Sequence, residues 1–140
     1  MAIPEKIQLQ IVSAERMLVS EQVDEVEIPG SEGYFGVLAG HTPLLALLGV
    51  GELWYRQGQE KHYLLIAFGF AEVQPAHVTI LAQTSEKAGE IDIARAEAAK
   101  KRAEQRLISP QADMDFERAR VAMMKALIRL QVASRTRIRS

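Results

Sequence analysis

The spacing of apolar residues changes once along this chain, abruptly, just after Gln83, and the two sides of that change demand different local structures. Upstream, apolar and polar residues alternate: Ile7, Leu9 and Ile11 form one such run, and Val26 and Ile28 interleave with Glu25 and Glu27. A period of two belongs to a half-buried strand, whose successive side chains point to opposite faces. Turn signals recur at Pro29-Gly30, Gly33, Gly36, Gly40, Gly49, Gly51, Gly58 and Pro75. Between them, segments 52–57, 61–67, 70–74 and 78–83 read as short strands, with hairpin turns at Gln57-Gly58-Gln59 and Pro75-Ala76-His77. Many short strands with regular turns imply a sandwich or a flattened barrel.

Downstream, from Glu90, the chain is rich in Ala, Glu, Lys and Arg and carries no Gly or Pro until Pro110. Ala96, Ala99, Ala103 and Leu107 fall on one helical face. Ser109-Pro110 ends that helix, because proline has no amide hydrogen and disfavours helix in the residue before it. Asp113 or Asp115 then caps a second helix, whose stripe is Phe116, Ala119, Met123, Ala126 and Leu130. Two such stripes joined by a short loop predict an antiparallel helical hairpin. Its seam is mostly alanine, so at roughly 25 cal/mol per Å² the larger residues Leu107, Phe116, Met123 and Leu130 must supply most of the contact energy. The second helix has another apolar row, Val121, Met124, Ile128 and Val132, which one partner helix cannot cover. Either the strand domain or another protein must cover it.

Charge follows the same division. Residues 1–86 hold 4 Lys/Arg against 11 Asp/Glu, and residues 87–140 hold 13 against 7, within a net charge of −1. Two readings are open: the halves face different partners, or the basic half packs on the acidic one. No cysteine is present, which excludes disulfides, thiolate chemistry and cysteine-ligated metal sites. Met1 to Gln10 lacks the apolar core of a secretory signal, and Leu44 to Val50 is far short of the roughly 20 residues that span a bilayer. Membrane association, on this reading, runs through a partner.

Catalytic signatures are missing: there is no phosphate-binding or dinucleotide-binding glycine loop, no nucleophile elbow and no H-E-x-x-H. His41, His62 and His77 have no metal-ligand spacing, and Asp24, Glu25 and Glu27 read as a solvated strand edge. The expectation is a chain that is not an enzyme. Arg118, Lys125 and Arg129 line one face of the second helix, with Asp92 and Arg95 at the start of the first. Three cations converging beside a helix N-terminus would hold a polyphosphate; the alternative is a solvated basic face. Phe116, the one aromatic of the helices, belongs to the seam, and acidic residues are interspersed, so nucleic acid is not an expected partner.

Gly30 to Leu45, Gly69 to Pro75 with Val78 to Ala82, and Ile91 to Ala96 are three segments that together, in register, resemble the epsilon subunit family of bacterial F-type ATP synthase. Gly30 to Leu45 is similar to the family's S-E-G-x-[LF]-G-[IV]-x-x-G-H-x-P-L-[LV] run. Gly69 to Pro75 with Val78 to Ala82 is similar to G-G-F-x-E-V-x-P followed by V-T-[IV]-L-A, and Ile91 to Ala96 fits [IL]-D-x-x-R-A. The resemblance implies an α+β chain: an N-terminal ten-stranded β-sandwich over residues 1–86, followed by a C-terminal antiparallel two-helix hairpin over residues 87–140. It implies a rotor subunit that couples proton flow to ATP synthesis without chemistry of its own, peripheral to the cytoplasmic face of the bacterial cell membrane. The implied partners are the gamma subunit, the c-ring, and the alpha and beta subunits.

On that resemblance Glu32, Gly33, Tyr34 and His41 lie on the surface docked to gamma and the c-ring. The hairpin either folds down on the sandwich or extends into the catalytic head and inhibits ATP hydrolysis, with Arg118, Arg120, Lys125 and Arg129, and the tail Arg135, Arg137 and Arg139, meeting acidic loops there. No cofactor is required. Regulatory ATP, as in some members, would use Glu86, Asp92, Arg95, Ala96, Arg118, Lys125 and Arg129. Three departures stand out: Lys125 where the better ATP binders have arginine, Tyr34 at an often acidic position, and Phe68 in place of the first glycine of G-G-F.

Overall fold

The computed structural model describes residues 4–109 and 114–138. The alternating run at the N-terminus forms β1 (Ile7–Ser13), with Ile7, Leu9 and Ile11 all fully buried. β2 (Met17–Val23) and β3 (Glu25–Gly30) follow, and Val26 and Ile28 on β3 are fully buried as well. β4 (Gly33–Leu38), β5 (Leu44–Gln57), β6 (Glu60–Val73) and β7 (His77–Lys87) complete one sheet in the order β2-β1-β7-β6-β5-β3-β4. All neighbours are antiparallel except β1 and β7. The sheet folds on itself around a single core that takes side chains from all seven strands, including Leu9, Ile28, Val37, Leu53, Ile66 and Ile80.

Seven strands replace the ten expected, and the reason lies in β5 and β6, each 14 residues long. Glycines that look like turn signals, Gly36, Gly49 and Gly51, lie inside strands, and the segments expected at 61–67 and 70–74 are one strand. At the junction Phe68 and Gly69 adopt φ +62° and +125°. Those values bend the strand without ending it, because pairing resumes on both sides of the bend. Phe68 is the one non-glycine residue with positive φ among the described residues, a conformation that carries a steric cost for any side chain with a Cβ. The turns at Gly58 and at 74–76 form as expected, with Gly58 at φ +61°.

Asp24, Glu25 and Glu27 are not a solvated edge, because β3 lies between β4 and β5. Asp24 pairs with Lys6 and accepts the Gly58 N–H at 2.7 Å, and Glu25 accepts from Arg56 at 3.0 Å. The hydrogen bond from Lys6 and that from the Gly58 N–H hold the Asp24 carboxyl below the usual carboxylate range.

After β7 a single 3-10 turn, Ala88–Glu90, leads to α1 (Ile93–Ile108). Asp92 caps α1, its Oδ1 accepting the Arg95 N–H at 3.0 Å, and Ser109 stands at the C-cap. Pro110 and Asp113 lie outside the described residues. Asp115 caps α2 (Phe116–Ile138), accepting the Arg118 N–H at 3.1 Å. The helices pack through small residues, with Ala96 and Ala103 of α1 and Ala119 and Ala126 of α2 all buried. Phe116 is not in the seam: it is the first residue of α2 and stands 52% exposed.

Candidate functional site

Two clusters join the hairpin to the strand domain. The first grows from the start of α1. Ile91 is buried and anchors the turn, packed in a small apolar group with Val132, Ala133, Tyr63, Ala88, Ile93 and Ile128. Asp92 caps the helix, and Ala96 permits close approach of α2. Beside them lies a cleft of about 360 Å³ lined by Glu86, Glu90, Asp92, Arg95, Ala96, Ala99, Arg102 and Arg129. Five of the seven residues expected to hold ATP therefore share one concavity: Glu86, Asp92, Arg95, Ala96 and Arg129.

Arg118 and Lys125 do not line that cleft. In an antiparallel hairpin the start of α1 lies against the far end of α2, and Arg118 is 11 residues before Arg129, about 16 Å along the axis. Lys125 instead places its Nζ 5.8 Å from the centre of the Phe68 ring, facing the bend of β6. Sequence reading missed Glu90, Ala99 and Arg102 as lining residues. The signal was present, because Arg95, Ala99 and Arg102 are spaced 4 and 3 apart on one helical face.

The cleft is charge-balanced, with three guanidinium groups against three carboxylates. Arg129 Nε donates to Glu86 at 2.7 Å, and Arg16 donates to Glu90 at 2.6 Å. Burial works against the Glu90 carboxylate, but hydrogen bonds from Arg16 and the Lys87 N–H hold its pKa below the ordinary value. A phosphate entering here would have to compete with Glu86 for Arg129.

The second cluster centres on Glu52, a carboxylate on β5 only 6% exposed. Arg135 donates to it from Nε at 3.0 Å and from a terminal nitrogen at 2.8 Å, and Gln131 donates at 3.3 Å. The Arg135 guanidinium also lies over the Tyr63 ring, 4.8 Å from its centre. Its hydrogen bonds to Glu52 raise the Arg135 pKa further above the ordinary value. Arg135 and Arg129, expected to reach acidic loops of another protein, are thus bound to acidic residues of this chain. The C-terminal half of the second apolar row is covered the same way, by the strand domain, with Val132 fully buried. Toward the N-terminal half of α2, Val121 and Met124 border a wider groove of about 840 Å³ with Leu47, Phe68, Phe70 and Leu81.

That groove opens on an apolar row that was not foreseen as a site. Leu47 pairs with Phe70 and Phe70 with Leu81 across β5, β6 and β7, and the three are 57%, 50% and 51% exposed. The expected docking residues occupy other places. Glu32 and Gly33 (φ +133°) form the tight β3–β4 turn. Tyr34 lies across Gly51, and its hydroxyl accepts the Glu52 N–H at 3.0 Å. His41 follows the other end of β4, about 16 Å from Gly33 at 3.3 Å per residue, with its N–H donating to the Leu38 carbonyl at 3.2 Å. Arg120 is held on the surface by Glu117, one turn away. Among the described residues no helix is long and apolar enough to cross a membrane, and no group of three or more His, Asp or Glu residues is placed to hold a metal ion.

Comparison with known proteins follows the same division of the chain. Residues 6–88 match the family model described as ATP synthase, Delta/Epsilon chain, beta-sandwich domain, and residues 90–134 match ATP synthase, Delta/Epsilon chain, long alpha-helix domain. The ATP synthase epsilon chain of Syntrophobacter fumaroxidans is 52% identical over 132 residues, covering 94% of this chain and 98% of that protein. That of Herpetosiphon aurantiacus is 48% identical over 133 residues, covering 95% and 98%. Among solved structures, a chain of the Euglena gracilis mitochondrial ATP synthase, OSCP/F1/c-ring, superposes with a TM-score of 0.82 at 27% identity, over 96% of this chain and 84% of that one. A chain of the central stalk and c-ring of the Tetrahymena thermophila mitochondrial enzyme shares the fold alone, with a TM-score of 0.57 at 12% identity over 96% of this chain and 98% of that one. With both domains matched over nearly the whole length, the chain belongs to the ATP synthase delta/epsilon family, among the bacterial epsilon chains.

Proposed function

We propose that this chain turns with the central stalk, docking through its β-sandwich on the gamma subunit and the c-ring, and that its hairpin restrains ATP hydrolysis when it leaves the sandwich for the alpha and beta subunits. In this reading it couples proton translocation to ATP synthesis from the cytoplasmic side of the membrane and performs no chemistry. The observation that carries the movable hairpin is how α2 is held. Its C-terminal half is clasped by ion pairs at Glu86 and Glu52, while its N-terminal half overhangs an open groove. A helix whose docking on the strand domain is concentrated at one end, in two ion pairs and one small apolar group, is suited to release. The exposed row Leu47, Phe70 and Leu81 offers an apolar docking strip, with the Glu32-Gly33-Tyr34 turn and His41 as flanking contacts. In the extended state Arg118, Arg120, Lys125 and Arg129 meet acidic loops of the catalytic head.

Regulatory ATP belongs to the same proposal. It would enter the cleft of Glu86, Asp92, Arg95, Ala96 and Arg129 and hold the hairpin down, stabilising that state by RT ln(1 + [L]/Kd). Calorimetry at millimolar ATP that shows no heat removes this part. The decisive test is ATP hydrolysis by the assembled synthase with the full chain and with a chain stopped after Lys87. Faster hydrolysis with assembly intact is expected, and unchanged hydrolysis removes the inhibitory role.

A further inference from the structure

β5 alternates strictly around Glu52. Leu53 points into the sandwich core with Leu64 and Ile66, so Glu52 faces the other way, as do Tyr63, Leu65 and Ala67 of β6. Leu65, directly opposite Glu52, and Ala67 are fully buried. This is the face on which α2 lies. A carboxylate therefore sits buried beside apolar neighbours on the face that meets α2. Among the described residues, every donor to that carboxylate, Gln131 Nε2 and two nitrogens of Arg135, comes from α2. Its strand offers it none.

We propose that Glu52 is the latch of the hairpin: it fixes one register of α2 on the sandwich and keeps that docking reversible. The first half follows from helix geometry. A shift that carries Arg135 away by one turn, about 5.4 Å, brings the neutral Gln131 amide to the buried carboxylate in place of the two-nitrogen grip of a guanidinium, so that register is disfavoured. The second half follows from solvation. When α2 leaves, the carboxylate regains water, which offsets part of the contact energy lost, whereas an apolar residue would hold the helix down more firmly. Gln131 and Arg135 are four apart, hence on one face, and act on the carboxylate together. The latch deepens the movable-hairpin reading above and rests on it for its regulatory meaning, but its contact chemistry is testable without it.

The test is hydrogen–deuterium exchange of α2 amides in the full-length chain, alongside ATP hydrolysis of the synthase assembled with each variant. Arg135→Leu and the near-isosteric Glu52→Gln should both speed exchange over residues 126–134 by about tenfold or more, with exchange in β1 and β7 unchanged. The double variant Glu52→Leu with Arg135→Leu should slow the same amides below the rate of the unaltered chain and relieve inhibition of hydrolysis. Unaltered exchange in both single variants overturns the latch, and so does a double variant that exchanges as fast as Arg135→Leu. The expected exchange pattern with hydrolysis indifferent to every variant would uphold the latch and refute the inhibitory role.

Discussion

Gly69→Ala is the substitution whose cost can be worked most directly from the structure. Gly69 has φ +125°, a region open to glycine and closed to residues with a Cβ. An added Cβ would overlap the Leu81 carbonyl oxygen of β7 and lie 3.0 Å from the Ala82 Cα. Backbone strain of this kind costs about 1–3 kcal/mol. Relieving the overlap means parting β6 from β7 at the Gly69–Ala82 pair, losing ladder hydrogen bonds of about 1 kcal/mol each. The expected loss is about 4 kcal/mol, a large part of the roughly 5–15 kcal/mol that holds such a domain. For a chain of this length it lowers Tm by roughly 12 °C. Gly89→Ala is the control: nothing lies within 4 Å of an added Cβ, and a gain of about 0.4–1 kcal/mol is expected from a less flexible unfolded chain. Urea unfolding of both variants, with m-values compared, measures the difference. A Gly69→Ala loss below about 1 kcal/mol would refute the steric account of the β6 bend.

Three further outcomes are expected. Phe70→Glu, at a half-exposed position, should change stability by no more than about 0.5 kcal/mol yet reduce co-purification with the synthase head; full co-purification would exclude the apolar row as a docking strip. Tyr34→Phe removes the acceptor of the Glu52 N–H and should cost about 1 kcal/mol in chemical denaturation, and no loss would mean that water replaces the hydroxyl freely. Burial and the nearby Glu21 charge push the Tyr55 phenol up to about 12. Its folded value lies above the unfolded one, so its contribution to stability is full below about pH 10 and is lost as pH rises from there toward 12. A phenolate absorbance step near pH 12 that is absent from Tyr55→Phe checks this, and a step that survives the substitution contradicts the assignment.

Legibility in the sequence varied with how local the cause was. Ile7, Leu9 and Ile11 announce β1 because strand alternation is written residue by residue, and Asp92 announces the start of α1 because a cap acts over three residues. The strand count was not legible. Gly49 and Gly51 signal a turn as strongly as Gly58 does, and only the pairing of β5 with β6 on both sides of them shows that the strand continues. Five residues of the cleft beside α1 were found, because the resemblance marks the end of β7, the start of α1 and the arginines of α2. Arg118 and Lys125, expected beside them, do not line that cleft, because helical periodicity fixes the face of a residue but not which part of a partner helix lies opposite.

By itself, then, the chain's pattern determined a strand domain followed by two helices, the division near Lys87, and an arginine-bearing second helix with one apolar row too many for its partner. Only the tertiary structure decided what that row and those arginines meet. Arg129 finds Glu86 across 43 positions and Arg135 finds Glu52 across 83. The reason is physical. Periodicity and capping are enforced by neighbours a few residues away, whereas the partner of a charge on α2 depends on how the whole sheet folds and which face it turns to the helix.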